Sequence, residues 1–180
     1  MAFRSGVYIV PTRIWYIERT VWLVAGIVLI ACTALARWVN PLWVLGIILT
    51  GAVSINVALT GFCPIGTALK RIGFPAMLEK ASTRNRPLYF MQTDAWFLER
   101  RIYIAVGINI SVASTLSLLV SPWFLAFTAF VGVAMVWFAA TGYCIMANGL
   151  YWLGAEPRLK PLPASCPTAA PRATSPELQV

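Results

Sequence analysis

The residues best suited to chemistry in this sequence are two cysteines that end the same four-residue pattern. Thr60-Gly61-Phe62-Cys63 recurs as Thr141-Gly142-Tyr143-Cys144. In the first pattern Gly61 suits a helix C-terminus and Pro64 suits the first turn of a new helix, which predicts Cys63 at the N-cap of a short helix over residues 65–72. Unpaired N–H groups and the helix dipole would lower the pKa of a thiol there and favour a nucleophilic thiolate.

The second cysteine is followed by different residues. Ile145 stands after Cys144 where Pro64 stands after Cys63, so we predict that the preceding helix continues through Cys144 to Trp152. Cys63 and Cys144 are both candidate reactive thiols, and Cys63 is the stronger one. The open alternative for each is a small apolar residue that packs at a helix end. We expect no disulfide between them because both are predicted to face a reducing cytoplasm.

Composition excludes several other kinds of site. The chain has no histidine among its 180 residues, and haem, zinc and copper sites commonly depend on imidazole ligands. The cysteines lack the spacing of a zinc site, and a serine, histidine and acid set is not available. We therefore predict no catalytic residue, no metal and no cofactor, in a protein that is not an enzyme.

Four long apolar blocks must position these cysteines. Hydrophobic residues make up 59% of the chain and charged residues 11%, whereas soluble domains carry about 25% charged residues. The blocks at residues 20–38, 42–62, 102–120 and 123–143 are each long enough to cross a bilayer as a helix. The sequence predicts an all-α integral membrane protein with four transmembrane helices in two hairpins, plus short interfacial helices.

The basic residues predict how these spans are oriented. The net charge is +8, and every lysine and arginine except Arg37 falls in the N-terminal segment, the central loop or the C-terminal tail. The positive-inside rule then places both termini and the central loop in the cytoplasm. Because the basic residues flank apolar blocks instead of forming a stripe, we expect contact with the lipid bilayer and no nucleic-acid partner.

The two halves of the chain resemble each other. A shift of 81 residues places Trp15 on Trp96 and carries the cysteine patterns onto each other. Each unit has two spans, so the sequence predicts parallel repeats packed as a fused dimer. Small residues let helices approach closely. The predicted interface glycines are Gly26, Gly51, Gly107 and Gly132, with packing inside each hairpin as the open alternative.

An acidic–basic pair enters the first and third spans, as Glu18-Arg19 and Glu99-Arg100. We predict that these residues form interfacial ion pairs. In one interpretation the acid caps the first turn while the arginine reaches the headgroups. In the other, a salt link joins the two copies. Both interpretations are structural.

The repeat and the composition of the C-terminus predict the segment boundaries. The proline-rich C-terminus cannot bury enough apolar surface to offset the entropy lost when it becomes ordered. We expect a cytoplasmic interfacial segment at 1–19, a first hairpin at 20–76, a cytoplasmic linker and interfacial segment at 77–100, a second hairpin at 101–156, and a disordered or extended tail at 157–180.

A short set of motifs carries a family resemblance. The first copy has Glu18-Arg19, Gly26 and Gly61-Phe62-Cys63-Pro64, and the second has the matching residues without the proline. This pattern resembles the YgaP-like inner-membrane family, a two-span bacterial domain sometimes fused to a rhodanese domain, here as a tandem duplication. The resemblance implies a bacterial inner-membrane location and a link to sulfane sulfur or thiocyanate, although that link belongs to the rhodanese-fused members and no rhodanese domain is present.

Two functions of different classes stay open. The first is a non-catalytic accessory or structural subunit that packs against other membrane-protein subunits of a respiratory or photosynthetic complex, or forms a homo-oligomer. The second is a sulfane-sulfur relay, or transport of a small thiocyanate-like sulfur anion, that uses Cys63. The lack of histidine and of charge in the span centres favours the first.

Overall fold

The computed structural model describes residues 6–159, and over that range the chain is all-helical, as predicted. A single 3-10 turn, Pro41–Trp43, leads into the second long helix, and another, Ala81–Thr83, lies in the central loop. The helices are α1 (Ile17–Trp38), α2 (Val44–Thr60), α3 (Pro64–Ile72), α4 (Leu98–Leu119), α5 (Phe124–Thr141) and α6 (Ile145–Trp152).

Four segments are long and apolar enough to cross a membrane, namely Ile17–Trp38, Pro41–Thr60, Leu98–Leu119 and Phe124–Thr141. The prediction of a multi-pass membrane protein is thus confirmed. Both α1 and α4 begin about one turn before the apolar blocks predicted from residues 20 and 102. That additional turn brings the two acidic–basic pairs inside the helices.

Glycines end both α2 and α5. Gly61 and Gly142 adopt left-handed conformations with φ of 79° and 74°. Side chains are strained in that region, so glycine is the residue that ends a helix there. The prediction that the fourth span continues through Cys144 is wrong, because Gly142 breaks the helix before α6 begins even though no proline follows the cysteine.

The helices pack mainly between the two halves of the chain. We call residues 6–78 the N-terminal half and residues 87–159, related to them by the shift of 81, the C-terminal half. α1 packs most extensively on α5, and α2 on α4. About half of the apolar window is buried in α1 (50%) and α4 (44%), but only 28% in the two other spans. α1 and α4 are therefore central, while α2 and α5 present more outward surface.

The predicted interface glycines meet in pairs at these crossings. A Cβ added to Gly26 would lie 2.8 Å from the carbonyl oxygen of Gly132, and one added to Gly107 would lie 2.8 Å from that of Gly51. Backbones approach this closely only where neither residue carries a side chain. Both pairs join helices of different halves.

The segments that precede α1 and α4 are extended rather than helical. The Val10 N–H donates to the carbonyl of Gly142 (3.0 Å), and the Met91 N–H donates to that of Gly61 (2.8 Å). Each segment thus lies across the end of a span from the other half. Leu159, within the segment predicted to begin the tail, is buried in the bundle. Residues 160–180 of that predicted tail lie outside the described residues.

Candidate functional site

A layer of buried polar side chains lies at the end of the bundle where α1 and α4 begin. The carboxylate of Glu18 accepts hydrogen bonds from the backbone N–H groups of Met77 (3.1 Å) and Leu78 (2.5 Å) and from the hydroxyl of Tyr89 (2.8 Å). Met77 and Leu78 follow α3 in the same half, whereas Tyr89 belongs to the C-terminal half. Because a typical buried hydrogen bond contributes roughly 0.5–1.5 kcal/mol, the bond from Tyr89 to Glu18 helps to hold the halves together.

Glu99 makes the equivalent contacts in the opposite direction. Its carboxylate accepts from the backbone N–H groups of Arg158 (3.1 Å) and Leu159 (2.8 Å) and from the hydroxyl of Tyr8 (2.8 Å). Here the tyrosine comes from the N-terminal half. The two glutamate–tyrosine contacts therefore cross the boundary between the halves reciprocally.

The two arginines reach across the same boundary to helix ends. Nε of Arg19 donates to the carbonyl of Ala139, and Nε of Arg100 donates to that of Ala58, both at 2.6 Å. These carbonyls lie in the last turns of α5 and α2, where a helix leaves C=O groups unpaired and carries partial negative charge. Each guanidinium also lies 4.0 Å from the ring centroid of the tryptophan four residues before it.

The interfacial ion pairs predicted for these four residues are not formed within residues 6–159. The glutamates accept from backbone N–H groups and tyrosine hydroxyls, and the arginines donate to backbone carbonyls. All four residues are buried, with the most exposed at 8%. The extra first turn of α1 and α4 explains the difference, because it places these side chains among opposing backbone groups instead of at an open interface.

Cys63 lies at the N-cap of α3, where the sequence places it. Its Sγ accepts a hydrogen bond from the Gly66 N–H at 3.2 Å. The residue is only 2% exposed, and this burial raises the pKa of the Cys63 thiol despite the hydrogen bond. The shift is opposite to the one expected for an activated thiolate, because desolvation disfavours the charged form.

Cys144 lies at the N-cap of α6 and is partly buried, with no side-chain cap hydrogen bond. A neighbouring amide organises this turn. The Asn148 side chain donates to the carbonyls of Cys144 (2.9 Å) and Tyr8 (3.1 Å) and accepts from the Tyr8 N–H (2.7 Å). The turn therefore serves as a docking point for the segment that carries Tyr8.

The turn at Cys63 docks the equivalent segment of the other half. The Thr67 hydroxyl donates to the carbonyl of Cys63 (2.9 Å) and accepts from the Tyr89 N–H (3.2 Å). Threonine and asparagine thus make related contacts at equivalent positions. Both cysteine turns position the tyrosines that bind the buried glutamates.

The centre of the layer holds little open space. A cavity of about 10 Å³ lies between Glu18 and Glu99, which is room for roughly one water molecule. Beside it the rings of Trp22 and Tyr103 approach to 4.4 Å between centroids. The polar groups here are directed at the chain's own backbone and at each other. Chemically, the arrangement is suited to holding helix ends together.

Sequence reasoning missed the two tyrosines and the two segments that bind the glutamates. The signal was available, because Tyr8 and Tyr89 are related by the same shift of 81, and so are Leu78 and Leu159. Extending the alignment at both ends would have marked these positions. Their partnership with the glutamates is a tertiary feature.

Comparison of the chain with protein-family models, with curated proteins and with solved structures gives no match. The resemblance to YgaP-like domains therefore stays a prediction that rests on the motifs.

Proposed function

We propose that this chain is a non-catalytic accessory subunit that packs against a larger bacterial inner-membrane complex. The observation that supports this proposal is a stripe of exposed aromatic side chains on the outward face of α5. Phe127, Phe130 and Trp137 are 44%, 66% and 61% exposed. Their spacing places them along one side of the helix. We call these three residues the aromatic stripe.

The aromatic stripe has no counterpart on α2. The equivalent positions there hold Gly46, Leu49 and Asn56. Contact with lipid acts on α2 and α5 alike, so it gives no reason for this difference. Aromatic side chains contribute large contact areas with defined ring geometry and are enriched in protein interfaces. A protein surface that packs on α5 alone accounts for the asymmetry.

The buried polar layer also supports a structural role. Its carboxylates and guanidinium groups bind the chain's own backbone, and burial raises the pKa of the Cys63 thiol. A sulfur-relay function requires a thiol that a substrate reaches, so the geometry of Cys63 favours the accessory role over that alternative.

The orientation is part of the proposal. The end of the bundle with the polar layer faces the cytoplasm, since every basic residue except Arg37 belongs to segments at that end or to the chain termini. Membrane-impermeant labelling of single cysteines placed at Asn40 and Asn85 tests this orientation. In intact cells, Asn40→Cys should react and Asn85→Cys should react only after permeabilisation.

The test of the accessory role is co-purification after extraction in a mild detergent. The wild-type chain should migrate in a native gel as part of a larger assembly with a fixed set of other membrane proteins. A variant with Phe130→Ala and Trp137→Ala should release the chain from that assembly. The matched control is Leu49→Ala, at the position on α2 equivalent to Phe130.

Each outcome bears on the proposal. Release by the α5 variant but not by the control supports packing through the aromatic stripe. A wild-type chain that purifies alone, or a variant that stays in the assembly as firmly as the wild type, contradicts it.

A further inference from the structure

A second surface lies at the opposite end of the bundle from the polar layer, between the last turns of α1 and the start of α5. It is an open groove of about 720 Å³, a volume within the range of small-molecule sites. Most of its lining is apolar, contributed by small and aliphatic side chains of both helices. Its polar lining on α1 consists of Thr33 and Arg37.

Arg37 is the one basic residue outside the segments predicted to face the cytoplasm. It is exposed at the end of α1 and lines the groove. Trp38 and Trp123 flank it and are 80% and 83% exposed. Tryptophan is enriched at the level of lipid headgroups, so Arg37 lies where the phosphates of a bilayer are found.

Thr33 lies one helical turn deeper on the same face of α1 as Arg37. The residue is only 7% exposed, and its hydroxyl oxygen has no hydrogen-bond partner within residues 6–159. Burying a hydroxyl without a hydrogen-bond partner costs free energy, so a partner is expected at this site. The Thr33 oxygen is itself covered by surrounding atoms, but threonine in a helix adopts two χ1 rotamers. A change of rotamer would bring the hydroxyl to the groove that the residue lines, where a ligand oxygen can supply the missing partner.

The equivalent positions in the other half lack both features. Leu118 stands at the position equivalent to Arg37, and Ser114 at the position equivalent to Thr33. The Ser114 hydroxyl donates to the carbonyl of Ile110 at 2.6 Å, so it is already satisfied. Among the described residues, a basic side chain and an unpaired hydroxyl occur together at the end of α1 and not at the equivalent end of α4, which indicates a specific binding site.

We propose that this groove binds one anionic glycerophospholipid. The phosphate binds the Arg37 guanidinium, with further attraction from the positive end of the α5 dipole. An ester oxygen, which lies deeper in the bilayer than the phosphate, accepts the Thr33 hydroxyl. One acyl chain lies along the apolar wall formed by Ile30, Ala126 and Ala129. A single lipid thus satisfies the charge, the hydroxyl and the apolar surface.

Native mass spectrometry of the full chain tests this site. The protein, released from detergent with a mixture of phosphatidylglycerol and phosphatidylcholine, should retain one phosphatidylglycerol preferentially. Arg37→Leu, which copies the residue of the other half, should lower that preference several-fold. The control is Arg13→Leu, an exposed arginine at the other end of the bundle, which should leave the preference unchanged.

A second variant examines the hydroxyl. Thr33→Val removes an unpaired polar atom, so the protein in neutral detergent should unfold at the same temperature as wild type or higher. The same variant should retain phosphatidylglycerol less well. This pair of readouts separates a lost ligand contact from a loss of fold.

Two results would overturn the proposal. One is an Arg37→Leu variant that keeps the wild-type preference for phosphatidylglycerol, or loses it no more than Arg13→Leu does. The other is stabilisation by inorganic phosphate equal to that by phosphatidylglycerol at matched concentration, which would identify a free-anion site instead of a lipid site.

Discussion

Substitution of Gly107 by alanine is the most direct probe of how the halves hold together. The added Cβ would lie 2.8 Å from the carbonyl oxygen of Gly51, and 2.7 Å and 3.0 Å from Cγ1 and the backbone nitrogen of Ile55. Two of these three atoms belong to the backbone of α2 and cannot move by a rotamer change. The two helices must therefore separate by about half an ångström at their crossing, since ordinary contacts of this kind exceed about 3.4 Å.

The expected magnitude follows from two opposing effects. Overpacking costs about 1–3 kcal/mol, and replacing a helical glycine by alanine returns about 0.5–1 kcal/mol. We expect a net loss of about 1–2 kcal/mol in the free energy of unfolding, because the backbone contacts prevent local relaxation.

Two matched variants, Gly132→Ala and Gly149→Ala, test whether the loss of stability depends on the atoms that the added Cβ meets. At Gly132 the closest atom is a side-chain carbon of Ile30 at 2.9 Å, and the backbone oxygen of Gly26 is at 3.1 Å, so alanine there should cost less. At Gly149, in α6, a Cβ meets no atom within 4 Å. Gly149→Ala should be neutral or stabilising by up to about 1 kcal/mol.

Tryptophan fluorescence during titration of detergent micelles with SDS measures the order of stability. The expected order is Gly149→Ala above Gly132→Ala above Gly107→Ala. A Gly107→Ala protein that unfolds at the same SDS fraction as Gly149→Ala would refute the close approach of α2 and α4 at this point.

Three further predictions concern the buried polar layer. Tyr89→Phe removes a donor to Glu18 and should cost about 1–3 kcal/mol in the same SDS titration, whereas Tyr143→Phe, at an exposed tyrosine, should have no effect. Burial raises the pKa of Tyr89 well above 10.0, so the stability that this tyrosine contributes is complete below about pH 10 and declines as pH rises toward the folded-state pKa. Above pH 10 the melting temperature should therefore fall more steeply with pH for wild type than for Tyr89→Phe. Equal slopes would contradict this prediction. In single-cysteine variants, maleimide should label Cys144 faster than Cys63 at every pH from about 7 to 9. Faster labelling of Cys63 would show that burial does not limit the reactivity of its thiol.

Much of the fold follows directly from the sequence. A lipid-exposed helix must be apolar over about 20 residues, and that requirement makes the four spans readable from composition alone. Gly61 and Gly142 likewise mark helix ends by themselves, because a left-handed residue at a helix C-terminus favours glycine. The mistaken continuation past Cys144 came from giving the missing proline more weight than this glycine.

The charges of the candidate site were visible in the sequence, but their partners were not. Glu18 and Tyr89 are 71 residues apart, and Tyr8 and Glu99 are 91 apart. Side-chain chemistry leaves a carboxylate free to take any donor of suitable geometry, so the neighbouring arginine was as plausible a partner as a distant hydroxyl. Folding decides between them by placing the tyrosine segment across the helix end.

Four apolar spans and a cysteine at the start of α3 follow from the sequence alone, which also aligns with itself at a shift of 81 residues. The packing of α1 on α5 and of α2 on α4 is a property of the folded chain, because glycine permits close approach of helices without specifying the partner. The fold also determines whether the Cys63 thiol is activated. The N-cap position favours a thiolate, but the surrounding segments bury the sulfur, and desolvation has the larger effect on its pKa.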